Sequence, residues 1–372
     1  MTMRLYDTAR REIVPFEPGR IVTMYTCGIT PYDAAHLGHA ATYLTYDILQ
    51  RRLRDLGHET RCVRNVTDID DDILRKARSL GVYYLDLAAQ EAARFDDQMR
   101  ALGVLPSYSE PRATSAIPDI LGYIGMVLES GHAYQSGGGV YFDVSSFGRF
   151  GQISHLERAA MLALAAERGG NVDDPHKKDP LDFALWQPSL PGEPAWESPW
   201  GPGRPGWHIE CSALAMRELG LTIDLHGGGT DLVFPHHECE AAQSEAATGE
   251  TFVRHWMHAG MIRLGGEKMA KSLGNLVFVE DLLRTHEPAA LRLALAAHHY
   301  RAELDWDDGL LKTAEERLSS WRRAGAGRAA LGEVRTRLDD DLDTPGALEA
   351  IDRAVRKGSG ASEAAALLGV AL

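Results

Sequence analysis

The stretch from Met24 to Ala40 constrains the fold of this chain more than any other. Ahead of it, Ile21 to Tyr25 is a short apolar run with β-branched residues, the pattern of a buried strand. Behind it, Ala41 to Leu56 carries Tyr43, Leu44, Tyr46, Ile48, Leu49 and Leu53 at helical spacing, with Asp47 as a polar exception. Between the two lies a turn holding Gly28, Gly38 and the pair His36 and His39. A strand, a glycine turn and a helix start bring backbone N–H groups and the positive end of a helix dipole to one point, which suits an anion. His36 and His39 fall about one turn apart and share a helix face. Taken alone, the same residues also describe a loop with surface histidines.

With 372 residues, 44% hydrophobic and 25% charged, the chain can form one large or two ordinary globular domains. No apolar run approaches the ~20 residues that span a bilayer, and Met1-Thr2-Met3-Arg4-Leu5 has no signal-peptide core. A cytoplasmic protein without a membrane partner is expected. Net charge is −14, from 39 basic and 53 acidic residues, which argues against a broad grip on nucleic acid. The four cysteines, Cys27, Cys62, Cys211 and Cys239, are too few and too scattered for a disulfide framework.

Strand and helix patterns alternate after the opening unit. Glu59 to Val66 reads as a strand, Ile69 to Leu80 as a helix capped by Thr67 or Asp68, and Tyr84 to Leu102 as a further helix. This alternation, with short connections, implies an α/β fold with a doubly wound parallel sheet. From Val104 to Pro202 the character changes to a small hairpin, Tyr134 to Asp143, and a Pro-, Gly- and Trp-rich region, the pattern of an insertion. The sheet pattern resumes with a helix at Ile209 to Leu219 and a strand at Thr222 to His226. Pro235 fits the first position of a helix through His236 to Ala247, and a strand at Trp256 to Leu264 leads into Gly265-Gly266. Beyond Asn275 the pattern is helical: Val279 to His286, Pro288 to Tyr300, Asp307 to Ala324, and Leu331 onward. The expected division is 1–103 and 203–290 as two halves of a catalytic domain, 104–202 as the insertion and 291–372 as a helical C-terminal region.

Two further constellations carry chemistry. In Glu267-Lys268-Met269-Ala270-Lys271-Ser272, two lysines three apart follow a glycine pair and suit a polyphosphate as mobile point charges. Cys27, Cys211 and His236 each sit at an expected strand end or helix start, with Glu240 one turn after His236. Dispersed cysteines and a histidine make a weak metal signal by themselves, against buried thiols and a surface histidine.

His36-Leu37-Gly38-His39 with Lys268-Met269-Ala270-Lys271-Ser272 resembles the signature pair of class I aminoacyl-tRNA synthetases, with Ala270 in place of the family's serine. Tyr25-Thr26-Cys27-Gly28, Trp207-His208-Ile209-Glu210-Cys211 and Phe234-Pro235-His236-His237-Glu238 resemble the zinc-binding segments of cysteinyl-tRNA synthetases and their relatives. The resemblance implies a Rossmann-like sheet, one zinc held by Cys27, Cys211 and His236, with Glu240 open as a fourth ligand, and ATP with magnesium as substrate. It implies His36, His39, Lys268 and Lys271 as catalytic groups on the phosphates. It places Thr67 on the amino group of L-cysteine, Trp207 beside the amino acid, and Gly229, Thr230, Asp231 and Ile262 around the adenosine. Gly28, Ile29, Thr30, Thr42, Asn65 and Val66 complete the implied substrate contacts, together with Cys27. Cys62 reads as a buried strand residue and Cys239 as a bystander.

Three features tilt the resemblance toward the mycothiol cysteine ligases, which join cysteine to glucosaminyl-inositol. Ile29-Thr30 and His39 stand where cysteinyl-tRNA synthetases typically carry Pro-Thr and an asparagine. Glu167-Arg168-Gly169-Gly170 resembles a marker of the ligases, although Asn171-Val172-Asp173 intervenes before Asp174-Pro175. The tail from Asp307 to Leu372 is short for an anticodon-reading module. The implied reaction activates L-cysteine as cysteinyl-adenylate and passes it to the amine of glucosaminyl-inositol, in a monomer that binds no nucleic acid. A short cysteinyl-tRNA synthetase, a ligase for another amine and a catalytically silent zinc and nucleotide module stay open as alternatives.

Overall fold

The computed structural model describes residues 2–269 and 273–372. At its centre four parallel strands lie in the order Trp256–Ala259, Leu225–Gly229, Ile21–Ile29 and Glu59–Val66. Tyr25 pairs with Val63 on one side and His226 on the other. The first strand thus has the next strand in sequence on one flank and a much later one on the other. That reversal of strand order places a crevice at the carboxyl end of Ile21–Ile29, where open α/β sheets bind ligands. Beyond Glu59–Val66, among the described residues, the sheet continues as the parallel bridges Val63 to Ser109 and Val66 to Arg112.

The helix Leu37–Asp55 follows the central strand and buries Tyr43, Leu44, Tyr46, Ile48, Leu49 and Leu53 against it. Tyr43 Oη donates to the Cys27 carbonyl at 2.9 Å, and Tyr46 Oη donates to the carbonyls of Gly228 at 3.1 Å and Met257 at 2.6 Å. These two hydroxyls satisfy strand-end carbonyls and fix helix to sheet. Asp47 is fully buried and meets Arg292, whose guanidinium also donates to the carbonyls of Leu102 at 3.1 Å and Leu368 at 2.6 Å.

Several elements differ from expectation for identifiable reasons. The second helix runs Asp71–Leu80 and is capped by Asp70, which accepts from Ile73 N at 2.9 Å. Thr67 Oγ1 accepts from Asn65 Nδ2 and the Asp68 carboxylate from Thr114, so neither expected cap is free for it. The strand expected at Trp256 to Leu264 breaks at Gly260, where a Cβ would stand 2.4 Å from the Ala302 carbonyl oxygen. Its second part, Ile262–Leu264, joins a separate sheet with Glu267–Lys268 and Leu304–Trp306. The strand expected at Thr222 to His226 begins only at Leu225, and Ile223 bridges Val253 instead. The helix expected from Pro235 begins at Glu238, after a wide turn over Val233–His237 in which Phe234 is extended. The expected C-terminal helix is three helices, Leu331–Asp339, Thr344–Arg356 and Ser362–Leu367.

Between the two halves of the parallel sheet, the chain builds an antiparallel sheet in the order Ala133–Ser136, Gly139–Phe142, Phe183–Pro188, Gly203–Pro205. Its apolar face, with Val140, Phe142, Leu185 and Trp186, shares one core with Tyr25, Cys27 and Cys211. No helix among the described residues is long and apolar enough to cross a membrane.

Candidate active site

His36 is the N-cap of Leu37–Asp55, and its Nδ1 accepts from Gly38 N at 3.1 Å. His39, three residues on, accepts from His36 N through its own Nδ1 at 3.4 Å, closing a reciprocal capping box. The rings stack with centroids 3.9 Å apart. Both Nδ1 atoms being acceptors, the ring proton of each neutral imidazole is assigned to Nε2. Burial pushes His36 below the ordinary histidine range, and burial with the neighbouring His36 pushes His39 well below it. The pair is therefore a set of neutral N–H donors at a helix start.

These rings line a cleft of about 180 Å³ together with Cys27, Gly28, Thr42, Gly229, Asp231 and Ile262. Gly28 is required there by close approach. Its N–H donates to Asn65 Oδ1 at 2.7 Å, and a Cβ on it would lie 1.5 Å from the Asn65 carbonyl oxygen. Asn65 Nδ2 in turn donates to Thr67 Oγ1 at 3.0 Å, so one asparagine sets both the strand end and the threonine. Thr42 Oγ1 donates to the Gly38 carbonyl at 3.0 Å, and Thr30 Oγ1 to Asp70 Oδ2 at 3.0 Å. Ile29, Val66 and Thr67 are buried beside the cleft and Thr230 is exposed at its edge. Lys268 is exposed on the small hairpin, next to Met269, which lines the cleft. Lys271 lies outside the described residues.

At the floor, Cys27, Cys211, His236 and Glu240 are all buried, and their donor atoms lie within 4.8 Å of one another. Cys27 Sγ and Cys211 Sγ are 3.9 Å apart, Cys27 Sγ is 3.4 Å from Glu240 Oε1, and His236 Nε2 is 2.9 Å from the same oxygen. Two thiols, an imidazole and a carboxylate at this spacing can hold a metal ion. Glu240, in the first turn of the helix Glu238–Thr248, joins the three expected ligands because the preceding turn brings His236 to within 2.9 Å of its Oε1. Burial opposes ionisation of Glu240, but His226 and His236 outweigh it and hold the carboxyl well below its usual range. Hydrogen bonding from Cys27 brings the Cys211 thiol down to about 6. The Trp207 ring packs on His236 with centroids 4.3 Å apart.

Sequence reasoning missed a second layer. His226 Nε2 lies 3.0 Å from Glu240 Oε2, and His237 Nε2 lies 3.2 Å from Cys27 Sγ. His237 Nδ1 pairs with His258 Nε2 at 2.7 Å, and His258 Nδ1 with Thr8 Oγ1 at 2.7 Å. These partners orient and polarise the inner set, as outer ligands of metal sites do. His237 was open to detection as the neighbour of His236; His226 and His258 come from other strands and carry no local signal. Arg168, from the Glu167-Arg168-Gly169-Gly170 stretch, donates to the carbonyls of Asp231 and Phe234. It ties the inserted region to the turn between the glycine loop and His236.

The family model for the class I tRNA synthetase (C) catalytic domain matches residues 13–316. A curated protein of Saccharomonospora viridis, L-cysteine:1D-myo-inositol 2-amino-2-deoxy-alpha-D-glucopyranoside ligase, is 50% identical, with 98% of this chain and 92% of that protein covered. A ligase of the same name from Thermobispora bispora is 48% identical, covering 100% of this chain and 96% of the other. The chain belongs to this ligase family. In fold it is similar to Mycobacterium tuberculosis methionyl-tRNA synthetase in complex with methionyl-adenylate, with a TM-score of 0.70 and 16% identity over 94% of this chain and 87% of that one. The ligase family is thus a branch built on the class I synthetase sheet.

Proposed function

We propose that this chain activates L-cysteine with ATP as cysteinyl-adenylate and transfers it to the amine of glucosaminyl-inositol, the amide-forming step of mycothiol biosynthesis. The observation that carries the reading is the single strand end that joins Cys27 of the donor cluster to Gly28 of the nucleotide cleft. The Cys27, Cys211, His236 and Glu240 donor set fits zinc, which when bound would accept a substrate thiolate and so favour cysteine over isosteric serine. A purely apolar pocket discriminates such isosteres poorly.

ATP, carried with magnesium, lies along Gly28 to His39, with its ribose toward Asp231 and its adenine toward Ile262. Thr67 orients the cysteine amine and Trp207 walls its side chain. The cysteine carboxylate attacks the α-phosphate in line, forming the acyl-phosphate bond as pyrophosphate leaves. His36 and His39 donate Nε2–H to the phosphate oxygens as neutral groups, and Lys268 and Lys271 bring the positive charge. Rate enhancement comes from positioning and oriented donors, without a covalent enzyme intermediate. The acceptor amine then attacks the cysteinyl carbonyl and AMP departs.

Labelled cysteine, ATP and either glucosaminyl-inositol or tRNA as acceptor test this reading. Label should pass to the amino sugar and not to tRNA; transfer to tRNA, or to neither, contradicts it. The Lys271→Ala variant should lose more than 100-fold in pyrophosphate exchange while keeping its metal content. Unchanged exchange would remove Lys271 from the phosphate site.

A further inference from the structure

Glu210 is fully buried on the helix Trp207–Leu219, and neither of its carboxylate oxygens has a hydrogen-bond partner among the described residues. It stands three residues after Trp207, one turn on along the helix, and immediately before Cys211. Asp68, Asp70 and the Thr67 hydroxyl surround it from the segment that follows Glu59–Val66. The neighbouring acids are satisfied by the protein itself: Asp68 accepts from Thr114 N at 2.9 Å and Thr114 Oγ1 at 2.7 Å, and Asp70 from Ile73 N and Thr30 Oγ1. Apart from the Thr67 hydroxyl, Glu210 has no donor and no cation among the described groups acting on it. An unpaired buried carboxylate is expensive, and its natural complement is a cation brought from outside.

We infer that Glu210 is the anionic half of the subsite for the α-ammonium group of the substrate cysteine, with the Thr67 hydroxyl as its neutral half. The inference rests on cysteine being the substrate. In cysteine the nitrogen and sulfur are separated by only two carbons, so a molecule whose sulfur lies at the donor cluster keeps its ammonium close by, and Glu210 acts on both Cys211 and the Thr67 hydroxyl. Glu210 then fixes the third point of the amino acid. Sulfur lies at the donor cluster, the carboxylate faces ATP, and the ammonium lies between Glu210 and Thr67. An ammonium–carboxylate contact in a dry site is charge-assisted, and removing the charge while keeping the shape isolates it.

The test uses the zinc-loaded full chain and two ligands, cysteine and 3-mercaptopropionate, which keeps the thiol and carboxylate and lacks the amine. Calorimetry should show the wild type preferring cysteine by at least tenfold. In Glu210→Gln, cysteine affinity should fall at least tenfold while 3-mercaptopropionate binding and zinc content stay unchanged, so that the preference collapses. A parallel loss for both ligands marks a structural role and overturns the inference, as does a preference that survives the substitution. Absence of any preference in the wild type overturns it without recourse to a variant. A wild type that binds 3-mercaptopropionate and other thiols but supports no cysteine-dependent pyrophosphate exchange defeats the functional reading itself, a result distinct from these.

Discussion

Gly28 and Cys27 are adjacent residues with opposite duties, one giving way to a neighbour and the other presenting a donor. Replacing Gly28 by alanine drives a Cβ into the Asn65 backbone. It should destabilise the protein by about 1–3 kcal/mol, the range for overpacking, measured as a shift in the urea midpoint. Pyrophosphate exchange should fall further than stability does, since Asn65 also sets Thr67. An unchanged midpoint would contradict the packing. At this scale much of the site was legible, because Cys27, His36, His39, Cys211 and His236 each stand beside a turn residue or helix start that marks a strand end. Glu240 was legible only as a spacing, and its place depended on where the helix began. His226 and His258 could not be read, because residues brought together by neighbouring strands leave no periodicity in sequence.

Elements set the protonation of the site as much as residues do. Burial in its helix, with the neighbouring His36, holds His39 neutral, and burial in its strand, aided by the nearby His226, pushes His258 down to about 3. An unfolded histidine titrates near 6.5, so below that pH the unfolded chain binds more protons than the folded one. Stability should therefore fall as pH drops from about 6.5 toward 3, by up to about 1.4 kcal/mol per pH unit for each such group. Urea midpoints taken at stepped pH should show this decline, and His258→Asn should flatten it; an identical slope in the variant would exclude His258 as a contributor. The Arg168 tether acts on the turn Val233–His237 that precedes the metal helix. Arg168→Ala should raise KM for ATP roughly tenfold through the Asp231 turn, a loss of about 1.4 kcal/mol of binding. An unaltered KM would show the turn to be self-supporting. The expectation that Pro235 starts the helix failed because the stretch from Asp231 to Phe234 is held by a side chain from a distant segment, which local propensity does not encode.

Across the whole molecule, buried ion pairs anchor the histidine helix to the C-terminal region: Arg52 with Asp339 at 2.8 Å, and Asp47 with Arg292. Arg292 joins Asp47 to the carbonyls of Leu102 and Leu368, and both side chains are sealed from solvent. Arg292→Ala leaves Asp47 short of a cation and should cost about 3–5 kcal/mol, read by denaturant unfolding; a loss below about 1 kcal/mol would mean that Arg51, 2.8 Å from Asp47, suffices. Asp47 stood out in the sequence as a polar residue on an apolar face, yet its partner lies 245 positions away. The alternation of strands and helices made the parallel sheet legible, and Glu59–Val66 was delimited to the residue. Strand order and the break at Gly260 were not, since both depend on which segment packs alongside.

The claim that one strand end carries both the sulfur site and the nucleotide site is tested most directly by amino-acid-dependent ATP–pyrophosphate exchange before and after metal removal. Cysteine should drive exchange and serine should not; chelation should abolish it, and zinc should restore it in the wild type but not in Cys211→Ser. Undiminished cysteine-dependent exchange in the metal-free protein, or equal exchange with serine, would contradict the account.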